Sequence, residues 1–495
     1  MISWLLPLSL SAIAAFADVP QEPPPADWQQ AVDAYMESRR EFGRIPGVAL
    51  AVVRDGKAVY LQGYGSSGPG GPPVTPQTPF VLGSVSKAFT ALAVVQLAED
   101  GQIDLDQPVV RYLPTFRVGD GADSSRITVR QLLNQTSGLS TFAGRRLLAD
   151  PDSSDSALER HVAALAETRL SNPPGIRYEY SNANYTVAGL LVQSVSGMSY
   201  EDYIRRRIFE PLEMSRSFLS QVDAERKGLA VGHRIWFGQP VAAPDLPFTR
   251  GELPAAYICS SAEDMSHWLI AHLNQGKYQE SHLVTHDGLA TLHTPPPGNL
   301  YAMGWSQAVQ GHRPALMHLG EVPNYRAQAL LVPSERLGVV TLMNVNNYLD
   351  QPPLQDLAPG VAAIILGEKP ATPTHNRRLT LVYGLLAITV AMQLAGLAWS
   401  IRLLKRWRRP SESRPRSRTR CHLTVASLLI VDLTLFVGFM FVVPAVFDIS
   451  LAGMLFYQPD VSWICVALAL FSLAWGLARS IALWRSLPSS ATAPA

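Results

Sequence analysis

Residues 379–401 form a run of 23 residues without a charged side chain. At about 1.5 Å per residue, a helix of that length crosses the roughly 30 Å hydrocarbon core of a bilayer, so the run predicts a membrane span. Residues 423–447, interrupted only by Asp432, and 461–483 predict a second and a third. Between the first two, the loop 402–422 carries nine Lys or Arg residues. That bias holds a loop on the cytoplasmic side and needs no nucleic-acid partner to explain it. It places residues 18–378 and the loop 448–460, which lacks Lys and Arg, outside, and the tail 484–495 inside. The chain therefore divides into an external domain at 18–370, a proline-containing linker at 371–378 and a membrane bundle. Asp432 is an ionisable group inside a predicted span and marks a packing or functional contact without a role of its own.

Residues 1–17 hold an apolar stretch from Trp4 to Phe16 ending Ala15-Phe16-Ala17. The pattern predicts a signal peptide, cleaved before Asp18 or retained as an anchor because no basic residue precedes the stretch. Together with the loop charges it predicts a bacterial inner-membrane protein with a periplasmic domain. The whole chain balances 41 basic against 40 acidic residues, which gives no reason to expect nucleic acid. Three cysteines are too few for a disulfide scaffold, and Cys259 is expected to be unpaired.

Within 18–370 the pattern is α+β. A helix-like stretch from Trp28 to Phe42 precedes two apolar runs, Val48–Val53 and Ala58–Leu61, joined by Asp55-Gly56, a hairpin signal. Residues from Asp104 to about Trp268 read as helix and loop, and Ala327–Val332 and Leu337–Leu342 supply a second hairpin through Pro333-Ser334. Two hairpins separated by helices predict one antiparallel sheet flanked by helices with a helical insertion.

The chemistry begins at Gly83-Ser84-Val85-Ser86-Lys87. Residues three apart share a helix face, so the Lys87 amine can reach the Ser84 hydroxyl and take its proton if burial keeps the amine neutral. Alone, S-x-x-K is a common helix start. Downstream, Tyr180-Ser181-Asn182 offers a phenol and an amide, and His318-Leu319-Gly320 precedes a strand run; Tyr180 is by itself equally readable as a core tyrosine.

Taken in order, Phe80–Thr90, Leu132–Leu139, Tyr180-Ser181-Asn182, Phe209–Met214, Ser260–Met265 and His318-Leu319-Gly320 resemble the serine β-lactamase-like hydrolases of the class C type, with their D-peptidase, D-aminopeptidase and esterase relatives. The resemblance covers about residues 28–366. It implies Ser84 as nucleophile, Lys87 as the low-pKa amine and Tyr180 as the proton relay. Asn182 would bind the substrate carbonyl and the lysine, and the N–H groups of Ser84 and Glu321 would form an oxyanion hole where Gly320 lets the strand approach. It implies no cofactor, and the histidines show no metal-ligand spacing.

Departures narrow the substrate. His318 and Leu319 stand where β-lactam-hydrolysing members place a lysine and a hydroxyl residue for the drug's carboxylate, so penicillin hydrolysis should be poor; His318 can also be a packed strand histidine. Gln135, where many relatives have histidine, and Glu213 are expected not to touch the chemistry. Asn324 is a candidate for binding a substrate amide, or else a turn residue.

Three spans behind such a domain resemble the peptidases that mature colibactin-type nonribosomal prodrugs. The resemblance implies removal of an N-acyl-D-amino acid group, D-asparagine-like, from a small acylated peptide at the bilayer. An esterase or cell-wall D-peptidase on the same machinery, and a non-enzymatic penicillin-binding sensor, are the alternatives. The oligomeric state has no sequence signature.

Overall fold

The computed structural model describes residues 25–485 apart from 120, 146–149, 247, 350–351, 375–376, 409–417 and 448. The expected signal peptide, the centre of the basic loop and the tail beyond 485 lie outside the described residues.

The sheet has seven strands: β1 (Gly47–Arg54), β2 (Lys57–Gly65), β3 (Tyr301–Ala302), β4 (Trp305–Gln310), β5 (Arg313–Val322), β6 (Tyr325–Val332) and β7 (Leu337–Met343), in the spatial order β2-β1-β7-β6-β5-β4-β3. The two expected hairpins do meet: β1 pairs antiparallel with β7, Val48 opposite Met343 and Arg54 opposite Leu337. Asp55 and Gly56 both have positive φ, 53° and 75°, which is the backbone a two-residue hairpin turn requires.

Every residue of β1 is buried, because both faces of the sheet are covered. Val48, Leu50 and Val52 face α1 (Trp28–Phe42) and a C-terminal helix, Leu357–Ile365, together with Val32, Met36 and Val361. Ala49, Ala51 and Val53 face the large helical body. The period of two thus sorts one apolar run into two cores, large residues to one side and alanines to the side where helices approach closely.

Two helices of that body position the site. Helix α2 (Ser86–Glu99) is buried from Ser86 to Leu97, and its Phe89 stacks on Trp268, 4.7 Å between ring centroids, which in turn stacks on Trp305 of β4 at 5.2 Å. Such pairs contribute about 0.5–1.5 kcal/mol each beyond their burial and fix α2 against the sheet. Helix α3 (Asn182–Ser196) packs beside it. Cys259 is a buried free thiol, as expected.

Among the described residues three helices are long and apolar enough to cross a membrane: Leu379–Arg406, His422–Val446 and Pro459–Arg485. The first and third extend a few residues beyond the apolar runs that foretold them, and the second is shifted by one residue. The first lies in α4 (Arg377–Arg408), the second begins in α5 (Arg418–Val437), and the third is α7 (Pro459–Arg485). Between the last two a short helix, α6 (Leu451–Tyr457), brings Tyr457 to the cavity that Ser84 lines. Asp432 has a partner: its carboxylate pairs with Arg479, which also donates to Ser400 Oγ (3.2 Å) and the Leu428 carbonyl (2.8 Å).

Candidate active site

Ser84 sits on a short 3-10 turn, Gly83–Val85, just ahead of α2 rather than in its first α-helical turn. Gly83 causes this. Its φ is +55°, and a Cβ there would lie 2.3 Å from the Glu321 backbone nitrogen. Across the gap, a Cβ on Gly320 would lie 1.8 Å from the Leu82 carbonyl oxygen. Two glycines therefore let the turn and strand β5 touch backbone to backbone, and the N–H groups of Ser84 and Glu321 come to adjoining positions.

Lys87, on α2, is fully buried. Its Nζ donates to Ser84 Oγ at 3.0 Å, Asn182 Oδ1 at 2.8 Å and the Ala255 carbonyl at 2.7 Å. All three ammonium protons thus have acceptors, yet burial lowers its pKa from 10.5 to about 7 against the opposing pull of the Glu252 carboxylate. The Ala255 carbonyl comes from a one-turn π-helix, Leu253–Tyr257, held to α2 by Thr90 Oγ1 donating to the Pro254 carbonyl and by the Ile258 N–H donating to Ser86 Oγ.

Tyr180 and Asn182 flank the start of α3. Tyr180 and Ser84 line the same cavity, and the Lys87 Nζ lies 5.0 Å above the Tyr180 ring centroid. Burial, followed by the neighbouring Tyr301, holds its pKa well above the ordinary tyrosine value. In this geometry Tyr180 is a neutral phenol.

His318 lies within β5, opposite Ala329, and is buried. Its Nδ1 faces the Leu319 carbonyl at 2.8 Å, which only accepts, so Nδ1 carries the proton and Nε2 accepts from the Tyr301 hydroxyl at 3.1 Å. Burial, then the Lys87 charge, pushes its pKa down to about 3. His318 is thus a neutral support for Tyr301, whose ring meets Tyr180 edge-on at 6.0 Å.

Glu321 turns its side chain to Arg326, 2.8 Å away, and lines the cavity at Ser84. Asn324 is not brought there. It sits in the turn between β5 and β6, where its amide donates to the Ala243 carbonyl at 3.1 Å and fills the space beside Gly232. Gln135 lies behind the site and contacts the loop that follows Tyr180. It has φ +60°, and its Oε1 accepts from the Ser181 N–H at 2.9 Å and from Asn184 Nδ2 at 2.5 Å, so it holds the loop that carries Tyr180 and Asn182. Glu213 lies elsewhere, with Gln279 donating to its Oε2 at 3.1 Å.

Sequence reasoning also missed Tyr301, Glu252 and Arg145. Glu252, buried, accepts from Thr186 Oγ1 at 3.2 Å and meets His161 at 3.3 Å. The cavity over Ser84 encloses about 90 Å³ and is walled by Thr141, Arg145, Tyr180, Asn182 and Glu321, and by Tyr348, Ile449 and Tyr457. Ile449 and Tyr457 belong to the stretch between the second and third long apolar helices. No signal in their own sequence marked them. Among the described residues no cluster of His, Cys, Asp and Glu is arranged to hold a metal.

Comparison with known proteins agrees with this geometry. The Beta-lactamase family profile matches residues 28–359. Protein flp of Staphylococcus aureus (strain COL) is 32% identical over 329 residues, covering 65% of this chain and 64% of the relative's own length. Penicillin-binding protein 4 of Amycolatopsis lactamdurans is 31% identical over 305 residues, 61% of this chain and 77% of that protein. Among solved structures, the octameric penicillin-binding protein homologue from Pyrococcus abyssi superposes with a TM-score of 0.60 at 26% identity, covering 69% of this chain and 78% of that one. With the profile running from the start of α1 to the first turn of the helix Leu357–Ile365, and Ser84 and Lys87 in contact inside it, the chain belongs to the beta-lactamase family.

Proposed function

We propose that the chain is a membrane-anchored serine hydrolase of a bacterial inner membrane, its catalytic domain in the periplasm, that cleaves an amide beside a D-residue through an acyl-enzyme. Its substrate is a small N-acylated peptide, a nonribosomal prodrug from which it removes an N-acyl-D-amino acid, D-asparagine-like. One observation carries the hydrolase reading: a buried lysine with a pKa of about 7 whose Nζ is 3.0 Å from a serine hydroxyl. Near neutral pH about half of such an amine is a free base, and a base beside a hydroxyl makes a nucleophile.

The steps follow from the placement. Ser84 Oγ bonds to the substrate carbonyl carbon as its proton passes to Lys87 Nζ. The carbonyl oxygen takes the electron pair and is held by the N–H groups of Ser84 and Glu321. The C–N bond then breaks, the nitrogen taking a proton from the Tyr180 phenol, which Lys87 replenishes. Water repeats the sequence on the ester and frees Ser84.

Against β-lactams stands His318, uncharged and occupied with Tyr301, beside the apolar Leu319. Neither supplies the charge-assisted donors a carboxylate needs. The likeness to a penicillin-binding protein favours a second reading, a cell-wall D-peptidase or esterase on the same groups.

A fluorophosphonate probe tests the hydrolase reading. It should label Ser84 in the full-length protein, and Ser84→Ala, Lys87→Ala and Tyr180→Phe should each abolish turnover of an N-acyl-D-Asn anilide. Full activity in Lys87→Ala defeats the mechanism. A strong preference for short-chain esters over the matched anilide defeats the prodrug substrate.

A further inference from the structure

The cavity over Ser84 does not end at the catalytic domain. Three of its walls, Tyr348, Ile449 and Tyr457, are also walls of a second cavity of about 250 Å³. That second cavity reaches into the bundle, between Leu386 on α4, Phe439 and Val461, with Cys465 on α7 behind them. Its accessible wall is wholly apolar. The two spaces adjoin at these three side chains, a polar arm with the nucleophile and an apolar arm among helices long enough to lie in a bilayer.

The junction is held in place. Arg145, in the wall at Ser84, donates to the Phe447 carbonyl at 3.1 Å and so ties the catalytic domain to the end of the second apolar helix. Arg234 donates to the Leu455 and Phe456 carbonyls at the end of α6 at 3.4 and 3.3 Å. The buried Asp460, at the start of α7, accepts from the Phe237 N–H at 2.9 Å and from the Tyr383 hydroxyl. The roof over Ser84 is therefore continuous with the wall of the apolar arm.

An apolar cavity of this kind offers water no partners and gains only from hydrocarbon. A molecule that carries both a hydrocarbon chain and a scissile carbonyl can fill the two arms at once. We infer that the apolar arm is the tail subsite for a single-chain acylated substrate, whose hydrocarbon chain lies between the helices while its amide carbonyl reaches Ser84. The inference rests on the hydrolase reading above and adds to it where the chain goes. A tail taken from the surrounding lipid loses little apolar contact on entry, so such a substrate passes sideways from the membrane into the site.

The test uses the full chain in lipid nanodiscs and water-soluble N-acyl-D-Asn anilides from acetyl to octanoyl. kcat/KM should rise about fourfold per methylene, the gain expected for burying each one. Leu386→Trp, which places an indole in the apolar arm, should cut the octanoyl-to-acetyl ratio at least tenfold. Leu381→Trp, at a position 65% exposed on the same helix, should leave that ratio at the wild-type value. The ratio is read within each variant, so a general loss of active protein cancels. Fluorophosphonates with octyl and ethyl chains give the same ratio from labelling alone. An unchanged ratio in Leu386→Trp, or no chain-length dependence in the wild type, overturns the tail subsite while leaving the hydrolase intact. A wild type that turns over no member and leaves Ser84 unlabelled overturns the hydrolase reading and the subsite with it.

Discussion

In the proposed mechanism the buried Lys87 amine makes the rate of Ser84 acylation a titration curve. Its pKa of about 7 and its contact with Ser84 mean that the reactive form is the neutral amine, and that form accumulates as pH rises. The neutral fraction is about 1% at pH 5, about 9% at pH 6, half at pH 7 and about 90% at pH 8, so labelling by a fluorophosphonate should climb roughly 90-fold from pH 5 to 8 and then level. An ordinary lysine near 10.4 would instead give a tenfold rise for every pH unit throughout, about 1,000-fold over the same range. Stability carries the same signature. The folded value lies below the unfolded one, so the unfolded chain binds more protons between pH 7 and 10.5 and folding stability rises with pH in that window, by about 2 kcal/mol from pH 7 to 9. The assay is stopped-time labelling of the detergent-solubilised protein across pH 5–9, with Lys87→Met as the reference for the stability arm. Glu252 raises the lysine's pKa, so Glu252→Gln should move the midpoint to lower pH. A labelling rate still rising tenfold between pH 8 and 9 would refute the reasoning.

Three further outcomes follow from the geometry. Gln135→Ala leaves the Ser181 N–H and the Asn184 amide without their acceptor, and should cost about 1–3 kcal/mol in thermal unfolding and slow turnover by loosening Tyr180 and Asn182. Gly320→Ala drives a methyl into the Leu82 carbonyl, so β5 must retreat from the Gly83–Val85 turn; labelling of Ser84 should fall to background in protein that still purifies as a monodisperse species. Asp432→Ala strands the Arg479 guanidinium and should destabilise the bundle by about 3–5 kcal/mol, whereas Asp432→Leu combined with Arg479→Leu should recover most of that loss, both read by thermal unfolding in one detergent.

The sequence disclosed what local chemistry or composition determines. The Asp55-Gly56 turn, the three long apolar runs, and the serine, lysine and tyrosine were legible because turn residues, hydropathy and reactive groups each leave a signature at their own position. Strands β3, β4 and half of β5 were not, since Trp305–Gln310 shows no alternation and becomes a strand through its partner. The settings of Gln135 and Asn324 were not legible for the same reason. Each is an amide in a turn, and only the fold decides that Gln135 faces the Tyr180 loop while Asn324 faces Gly232. Tyr301 carries no motif, yet it links His318 to Tyr180 across the sheet edge.

The roof over the nucleophile has a consequence in time. Ser84, Lys87 and Tyr180 all lie in the first part of the chain, while Ile449 and Tyr457, which close the cavity above them, come more than 250 residues after Tyr180. A ribosome therefore releases the catalytic groups long before the residues that enclose them. The site is finished only when the last two helices have come together, so a chain stalled short of them presents an open, roofless serine. Closure of the cavity is thereby tied to the arrival of the last apolar helices, which complete its walls as well as following the domain in the chain.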